Sequence, residues 1–245
     1  MRHPFFSSSR PLVFAHRGGG ALAPENTIAA FDNGLRLGAD GLELDVRLSR
    51  DGVVVVQHDR TLDRTTALCG PLALRSADEL QRAGLPLLAD VLSRYRDTRI
   101  IIELKVNSPE LAAAAVDVVR RADAVDRVCF GSFGRRVLRA VRALAPEMAT
   151  SAAREEVRWA LYRSWCRCPV SRVRYTCYQV PELAGATRVI SPRFVIDAHD
   201  AGLGVQVWTV DSEADAARLL DWGVDGLITD RPDIIVPLVR GRTPR

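Results

Sequence analysis

The sequence lacks any hydrophobic run long enough to cross a membrane as a helix. None of its stretches approaches the roughly 20 consecutive apolar residues that such a helix needs. Its first residues read MRHPFFSSSRPL and lack the apolar core of a signal peptide. No internal repeat, low-complexity tract or linker interrupts the rest of the chain. We therefore predict a cytoplasmic protein with one domain over residues 1–245.

The sequence also lacks a cysteine pattern that could bind a metal and a cluster of basic residues that could bind a nucleic acid. The chain has five cysteines and no C-x-x-C pair, and Cys166-x-Cys168 is too isolated for a structural zinc site. Free thiols in a reducing compartment are therefore expected. The net charge of +4 is mild and is not concentrated in one basic stripe. We predict no nucleic-acid partner, while an anionic small-molecule substrate remains compatible with this charge.

Short runs of branched apolar residues alternate with helical patterns along the chain, as is typical of parallel strands joined by helices. The length of 245 residues suits one (β/α)₈ barrel, and 47% hydrophobic residues can build its core. The eight predicted strands are Leu12–Ala15, Gly41–Val46, Ile100–Lys105, Arg127–Ser132, Glu147–Ser151, Thr176–Val180, Val205–Val210 and Gly226–Thr229. The seven predicted helices are Thr27–Leu37, Leu87–Tyr95, Pro109–Ala122, Arg135–Ala145, Glu155–Tyr162, Pro192–Ala201 and Ser212–Trp222. The predicted fold is an α/β, distorted (β/α)₈ TIM barrel.

One segment breaks the alternation after the second strand. Asp51-Gly52 separates two apolar runs, which is a strong signal for a β-hairpin. Folding about this turn would place Asp45 roughly opposite His58. The polar stretch Arg60–Leu85 follows before the next helix. We predict a small insertion above the barrel, over about residues 47–85.

Acidic residues fall where the second and third strands end, which is the face that carries the active site in TIM barrels. Glu43 and Asp45 are two residues apart and therefore point the same way, and Glu103 occupies the matching position on the third strand. Three carboxylates in one barrel mouth repel one another, and a hard divalent cation such as Mg²⁺ or Ca²⁺ removes that repulsion. Pairing with basic neighbours is the alternative for any single acid.

Histidine and basic residues surround the same predicted position. His16 ends the first strand and His58 follows the hairpin, where two imidazoles suit general acid and base work near neutral pH. Arg17 and Lys105 flank the acids, next to a run of three glycines that permits close backbone approach. The combination favours a phosphate ester as substrate.

These residues resemble the glycerophosphodiester phosphodiesterase family, in its bacterial, single-domain form. The resemblance covers positions 14 to 233 and rests on the segments FAHRGGGALAPENTIAAF, GADGLELDVRLSRDGVVVVQHDRTLDRTT, IIIELK, FGSF, VWTVD and GVDGLITDRPD. The order of His-Arg-Gly, Pro-Glu-Asn-Thr, Glu-x-Asp and His-Asp at these spacings is highly specific. It implies a distorted barrel with a small insertion after the second strand, as the hairpin pattern also predicts.

The resemblance also implies roles for individual residues. The metal ligands match Glu43, Asp45 and Glu103, the catalytic histidines match His16 and His58, the phosphate contacts match Arg17 and Lys105, and residues near the substrate match Asn26 and Trp208. The implied reaction uses one divalent cation and yields sn-glycerol 3-phosphate and an alcohol. In the implied route the glycerol 2-hydroxyl attacks phosphorus and water opens the cyclic phosphate. His16 is assigned as the first base and His58 as the first acid, with the inverse order left open.

Two segments depart from the family pattern. The insertion lacks the usual glycines after Thr65-Thr66 and is short, and we expect residues 60–85 to select the leaving alcohol. Asp211 replaces the usual asparagine after Trp-Thr-Val, and we expect little effect because both residues cap helices.

Other functions remain open at this point. Arg154–Arg174 holds three large aromatics among six arginines and two glutamates, which motivates an alternative function, lysophospholipase D action at a membrane. The preferred interpretation of that segment is a helix with its aromatics on the core face and its arginines in water, so membrane contact is not favoured. A catalytically inactive binding module would need a broken ligand set, and all matched positions are intact. The head group, the metal and the oligomeric state stay undetermined.

Overall fold

The computed structural model describes residues 3–242 and forms a closed parallel barrel. Its strands lie in the order β5-β4-β3-β2-β1-β8-β7-β6, and a parallel bridge between Ser151 and Cys177 joins β5 to β6. The eight strands are β1 (Leu12–His16), β2 (Gly41–Leu48), β3 (Arg99–Leu104), β4 (Val128–Gly131), β5 (Ala149–Thr150), β6 (Cys177–Pro181), β7 (Gly204–Trp208) and β8 (Gly226–Thr229). The predicted TIM barrel and all eight predicted strands are confirmed.

Helices surround the barrel at the predicted places. They are α1 (Ile28–Arg36), α2 (Ala77–Arg82), α3 (Leu88–Arg94), α4 (Pro109–Arg121), α5 (Arg135–Leu144), α6 (Arg154–Trp165), α7 (Pro192–Asp200), α8 (Glu213–Asp221) and α9 (Pro232–Arg240). The seven predicted helices are among them. The sequence analysis missed α2, which a capping box between Ser76 and Glu79 starts, and α9, which contains Pro237.

The predicted hairpin is present, with a different register from the one expected. Val46 pairs with Val56 of the short antiparallel strand Val54–Val56. Continuing that register brings Gln57 opposite Asp45, and the Gln57 N–H donates to the Asp45 carbonyl at 2.9 Å. Asp45, expected roughly opposite His58, therefore lies opposite the residue just before it. His58 instead continues past the strand toward the barrel mouth.

The first residues close the end of the barrel opposite the mouth. A short 3₁₀ helix, Pro4–Phe6, buries both of its phenylalanines, and the Phe5 ring stacks on the Phe14 ring of β1 at 5.7 Å. Leu12, Phe14, Ile101 and Ile228 pack in the same interior cluster. Polar chemistry is thus left to the opposite, open end of the barrel, where β1 to β3 end.

Alternate residues of β2 face opposite sides, as their spacing predicts. Leu42 and Leu44 are fully buried in the core between the barrel and its helices, while Glu43 and Asp45 face the interior. None of the helices within residues 3–242 is both long and apolar enough to cross a membrane. The five cysteines are unpaired thiols, as expected.

The preferred interpretation of α6 is wrong. Its three large aromatics, Trp159, Tyr162 and Trp165, are 60%, 50% and 58% exposed, and they face away from the core. The small residues Ala160 and Ser164, with Leu161, form the buried side of the helix. The helix therefore packs through a narrow face and presents a wide aromatic face to solvent.

Candidate active site

Three carboxylates converge where β2 and β3 end. The parallel register sets Asp45 beside Glu103, and Glu43 lies two residues earlier on the same face of β2. Burial is the main cause of an upward shift in the pKa of Glu43, to about 7, and the charge of Asp45 adds to it. Burial likewise raises the pKa of Glu103 to about 8, against the attraction of Lys105. The raised pKa values of the two glutamates thus indicate that negative charge is concentrated at a poorly solvated position in the barrel mouth.

Asp45 is the carboxylate that basic groups neutralise. Lys105 Nζ lies 3.0 Å from its Oδ1, and Arg17 Nε lies 3.2 Å from its Oδ2. Burial alone would raise the pKa of Asp45, but these two cations, together with a hydrogen bond from Asn26 and the nearby His58, leave the pKa lowered. Asn26 donates to Oδ2 at 2.8 Å and accepts from the Asp45 N–H at 3.3 Å. Asn26, expected near the substrate, therefore orients this carboxylate.

The composition of this cluster fits a hard divalent cation. Glu103 Oε1 is buried and has no hydrogen-bond partner, which is costly for a carboxylate oxygen unless a ligand completes it. Oxygen donors from two neighbouring strands are the ligands that Mg²⁺ and Ca²⁺ prefer. Within residues 3–242, no three acidic, histidine or cysteine side chains already surround one common ion position. Asp45 is paired with Lys105 and Arg17 instead.

His16 is held by a carboxylate from the turn that follows the last strand. Its Nδ1 lies 2.9 Å from Asp230 Oδ1, and its Nε2 lies 3.8 Å from Glu43 Oε2. Burial lowers the pKa of His16, but the charges of Glu43 and Asp230 more than compensate and leave it raised. Asp230 was not singled out as a functional residue, although it follows β8 at the mouth. Its partner lies at the other end of the sequence, so no local pattern reveals the contact.

His58 is fixed in a similar way by its neighbour in sequence. Its Nδ1 lies 2.7 Å from Asp59 Oδ1, and Arg47 clamps its carbonyl oxygen with two hydrogen bonds, at 2.9 and 2.7 Å. Burial lowers the pKa of His58 and outweighs the attraction of Asp59. A neutral ring accepts a proton and a charged ring donates one. The pKa values of the two rings thus shift in opposite directions, and which ring is the first base stays a prediction.

A chain of ion pairs links the insertion to the phosphate-binding candidates. Arg64 Nε lies 2.6 Å from Asp59 Oδ2, and the same guanidinium donates twice to Glu25, at 2.9 and 2.6 Å. Glu25 in turn accepts from Arg17 Nη1 at 3.1 Å. The carboxylate that holds His58 is therefore tied to Arg17 through Arg64. The sequence analysis missed Arg64 and Glu25, because neither residue is near the other along the chain.

Two glycines allow close contacts at the barrel mouth, one beside Glu103 and one in the turn after β1. A Cβ on Gly131 would lie 2.8 Å from Glu103 Oε2 and 2.7 Å from Gln179 Oε1, closer than real side chains approach. Gly18 has φ +88°, and its own Cβ would lie 2.7 Å from the α1 backbone at Ala30. The turn after β1 can therefore fold tightly against α1. Gln179, which donates to Gln206 at 2.8 Å in the barrel interior, was also missed.

Aromatic and acidic groups complete the mouth on the far side. The Trp208 ring meets the exposed Phe133 ring edge to face, with centroids 5.8 Å apart. Asp211 accepts from Thr229 Oγ1 at 2.9 Å and from the Asp230 N–H at 2.8 Å. The expectation that Asp211 caps a helix is wrong, because Ser212 caps α8. Asp211 instead holds the turn that carries the partner of His16.

Comparison with known proteins places this arrangement among phosphodiesterases. Residues 16–234 match the model of the "Glycerophosphoryl diester phosphodiesterase family". The chain is 35% identical to the "Probable glycerophosphodiester phosphodiesterase 2" of Mycobacterium tuberculosis, over 94% of this chain and 92% of that protein. It is 32% identical to the glycerophosphodiester phosphodiesterase of Caldanaerobacter subterraneus, over 94% and 98%.

A solved structure extends the similarity to the whole fold. An Oleispira antarctica phosphodiesterase, in complex with the product sn-glycerol-3-phosphate, superposes with a TM-score of 0.76 at 28% identity. The match covers 95% of this chain and 98% of that one. The residues of the mouth thus lie inside the region that the relatives share.

Proposed function

The chain belongs to the glycerophosphoryl diester phosphodiesterase family and is a phosphoric diester hydrolase, and from that premise we propose the reaction that its mouth performs. It hydrolyses glycerophosphodiesters to sn-glycerol 3-phosphate and an alcohol, with one divalent cation. One observation carries the proposal: two imidazoles, His16 and His58, are each oriented by a carboxylate and stand around a cluster of buried acids. The Oleispira antarctica relative holds the corresponding product.

Glu43, Asp45 and Glu103 are the residues that would hold the cation. The unpartnered Glu103 oxygen and the raised pKa values of both glutamates support this assignment. Mg²⁺ and Ca²⁺ both suit these oxygen donors. When bound, the cation neutralises charge on the phosphate and polarises its oxygens.

Arg17 and Lys105 bind the phosphate in this proposal. Both side chains are largely buried beside Asp45, so their charges act with little screening by water. With a cation bound, Asp45 would be one of its ligands, and Arg17 and Lys105, which now pair with Asp45, would be available to contact the phosphate. Arginine matches phosphate with two parallel donors, whereas lysine supplies a point charge.

The two histidines move the protons of a two-step reaction. In the first step the glycerol 2-hydroxyl oxygen bonds to phosphorus while the bond from phosphorus to the leaving alcohol breaks. One imidazole takes the hydroxyl proton, and the other gives a proton to the alcohol. Water then opens the cyclic phosphate with the roles reversed, which leaves the phosphate on the 3-hydroxyl and restores both rings.

The insertion has two roles in this proposal. Residues 60–85 follow His58 directly and select the leaving alcohol, while Arg64 within them orients the partner of His58. Replacing this segment by that of a relative, with Arg64 retained, should change the preference among head groups and leave cation affinity unchanged. An unaltered substrate profile would refute the role in selection.

Alanine variants of His16 and His58 test the proposed chemistry. With glycerophosphocholine and a defined metal, each variant should lose about 10²–10⁴-fold in kcat while it still binds the cation. A nitrophenyl ester has a leaving group that needs no proton, so it should restore the variant that lacks the first acid. Equal rescue of both variants would contradict the division of roles, and wild-type rates in both would contradict the mechanism. A parallel panel of lysophospholipids measures how far the substrate range extends.

A further inference from the structure

The exposed face of α6 carries an unpartnered aromatic surface. Trp159, Tyr162 and Trp165 follow one another at three-residue steps, so they form one stripe along the helix. The Tyr162 and Trp165 rings meet edge to face with centroids 5.5 Å apart, and Arg163 lies over the Trp159 ring at 5.8 Å. Single exposed apolar side chains are ordinary, but three contiguous large ones mark an interaction surface.

The surroundings of this stripe are cationic. None of the ion pairs within residues 3–242 includes Arg158, Arg167, Arg172 or Arg174, and all four are exposed. The two acids of the segment are already engaged: Glu156 binds Arg142 at 2.7 Å, and Glu155 lies 3.8 Å from Arg135. The surface therefore carries positive charge that no neighbouring acid balances.

We propose that this α6 surface binds the surface of an anionic lipid bilayer. Tryptophan and tyrosine rings favour the headgroup level of a membrane, where one side of the ring is apolar and the other wet. Arginines around such rings are attracted by anionic lipids while their stems cover apolar surface. A basic, aromatic helical face is the type of surface that lies in this interface.

The same geometry disfavours the two other occupants of such a surface. A second copy of this chain, docked through the same face, would bring the unbalanced arginines of both copies together. A single-stranded nucleic acid needs free ring faces on which bases stack. Arg163 covers one face of Trp159, and the other two rings are turned edge to face toward each other.

The location of the stripe separates this binding from catalysis on membrane lipids. α6 begins near the mouth, where the Arg154 N–H bonds to the Phe133 carbonyl, and it runs toward the closed end. At that end Arg172 lines a cavity together with His3 and Phe6. A protein bound through this flank keeps its mouth in water. The inference therefore places a hydrolase of water-soluble diesters next to a membrane.

Flotation of the full chain with vesicles tests the proposal. Wild type should float with vesicles that contain phosphatidylglycerol and remain behind with vesicles of phosphatidylcholine alone. The double variant Trp159→Gln/Trp165→Gln should bind the anionic vesicles at least about tenfold more weakly, because it loses the apolar anchor. Leu144→Gln is the matched control, since it removes an exposed apolar side chain on α5.

Charge reversal supplies a second, independent pair of variants. Arg158→Glu should weaken binding about tenfold, whereas Arg96→Glu, also exposed but outside α6, should change it far less. All four variants should hydrolyse glycerophosphocholine at the wild-type rate, because none of them changes the barrel mouth. Flotation measures membrane binding directly, so its result does not depend on whether the proposed reaction is correct.

Three results would overturn the inference. The first is equal flotation with both kinds of vesicle, or flotation that the α6 variants do not weaken. The second is self-association at micromolar concentration that the double variant abolishes, without vesicle binding, which would assign the surface to a second copy. The third is binding of a fluorescent single-stranded oligonucleotide in place of vesicles.

Discussion

Replacing Gly131 by alanine is the most local way to disturb the proposed cation site. Gly131 ends β4 beside Glu103, in extended backbone that alanine also adopts, so the substitution adds one methyl group and no backbone strain. That methyl would lie 2.8 Å from Glu103 Oε2 and 2.7 Å from Gln179 Oε1. Ordinary contact begins at 3.4 Å, so the carboxylate must retreat by at least about 0.6 Å, the difference between 3.4 and 2.8.

A retreat of this size is large for a cation ligand. Ligand distances to Mg²⁺ vary by only about 0.1 Å, and a misplacement of about 1 Å in an active site costs about 10²-fold in rate. We expect Gly131→Ala to lower cation affinity about 10–100-fold and kcat/KM by at least as much. Overpacking should also cost about 1–3 kcal/mol in the free energy of unfolding.

Calorimetric titration of the chelated variant with Mg²⁺ and Ca²⁺ measures the affinity, and turnover of glycerophosphocholine measures the rate. Gly204→Ala is the control, because it adds a methyl to β7 at the closed end, 3.2 Å from the Phe6 ring. The control should lose stability but keep its cation affinity. Wild-type affinity and turnover in Gly131→Ala would refute the placement of Glu103 in the cation site.

Three further predictions concern charged side chains and their partners. Glu43 and Glu103 have pKa values of about 7 and 8, above their ordinary 4.5, so the folded state retains protons that the unfolded chain releases. In chelated protein, the contribution of these two groups to thermal stability should be full below about pH 4.5 and be lost as the pH rises through 7 to 8, and Mg²⁺ should reverse that loss. Arg142→Met removes the basic partner from a buried ion pair and leaves its acid without a counter-charge. It should lower the free energy of unfolding in urea by about 3 kcal/mol, whereas Arg121→Met at an exposed pair should lower it by about 0.5 kcal/mol. Arg64→Ala removes the ion pair that holds Asp59, the carboxylate that orients His58. It should lower kcat about tenfold and leave cation affinity unchanged, and an unchanged kcat would show that Arg64 has no role in the mechanism.

The barrel could be predicted from the sequence because its signals are local. Each strand is a short apolar run, and several predicted helices start or end at a recognisable residue, as Ser108 and Pro109 show for α4. The acids were found because two-residue spacing on a strand fixes the side that a residue faces, and the histidines because each follows a predicted strand next to those acids. α9 was missed because Pro237 lies inside it, although the preceding turns keep it helical.

The groups that orient the site could not be predicted in this way. Asp230 is 214 residues from His16, and Arg64 is 39 residues from Glu25, so only the closed barrel brings these partners together. Burial of a helix face is also set by the tertiary structure. The aromatics of α6 resemble a core face in the sequence, yet the barrel packs against its small residues, and Trp159 remains exposed.

The central claim is that Glu43, Asp45 and Glu103 hold one divalent cation on which hydrolysis depends. Calorimetric titration of chelated protein, with glycerophosphocholine turnover followed over the same cation concentrations, tests it most directly. We predict one binding site, turnover that rises with its occupancy, and loss of both in Glu103→Gln. Full turnover after thorough chelation, or wild-type cation binding in Glu103→Gln, would contradict the claim.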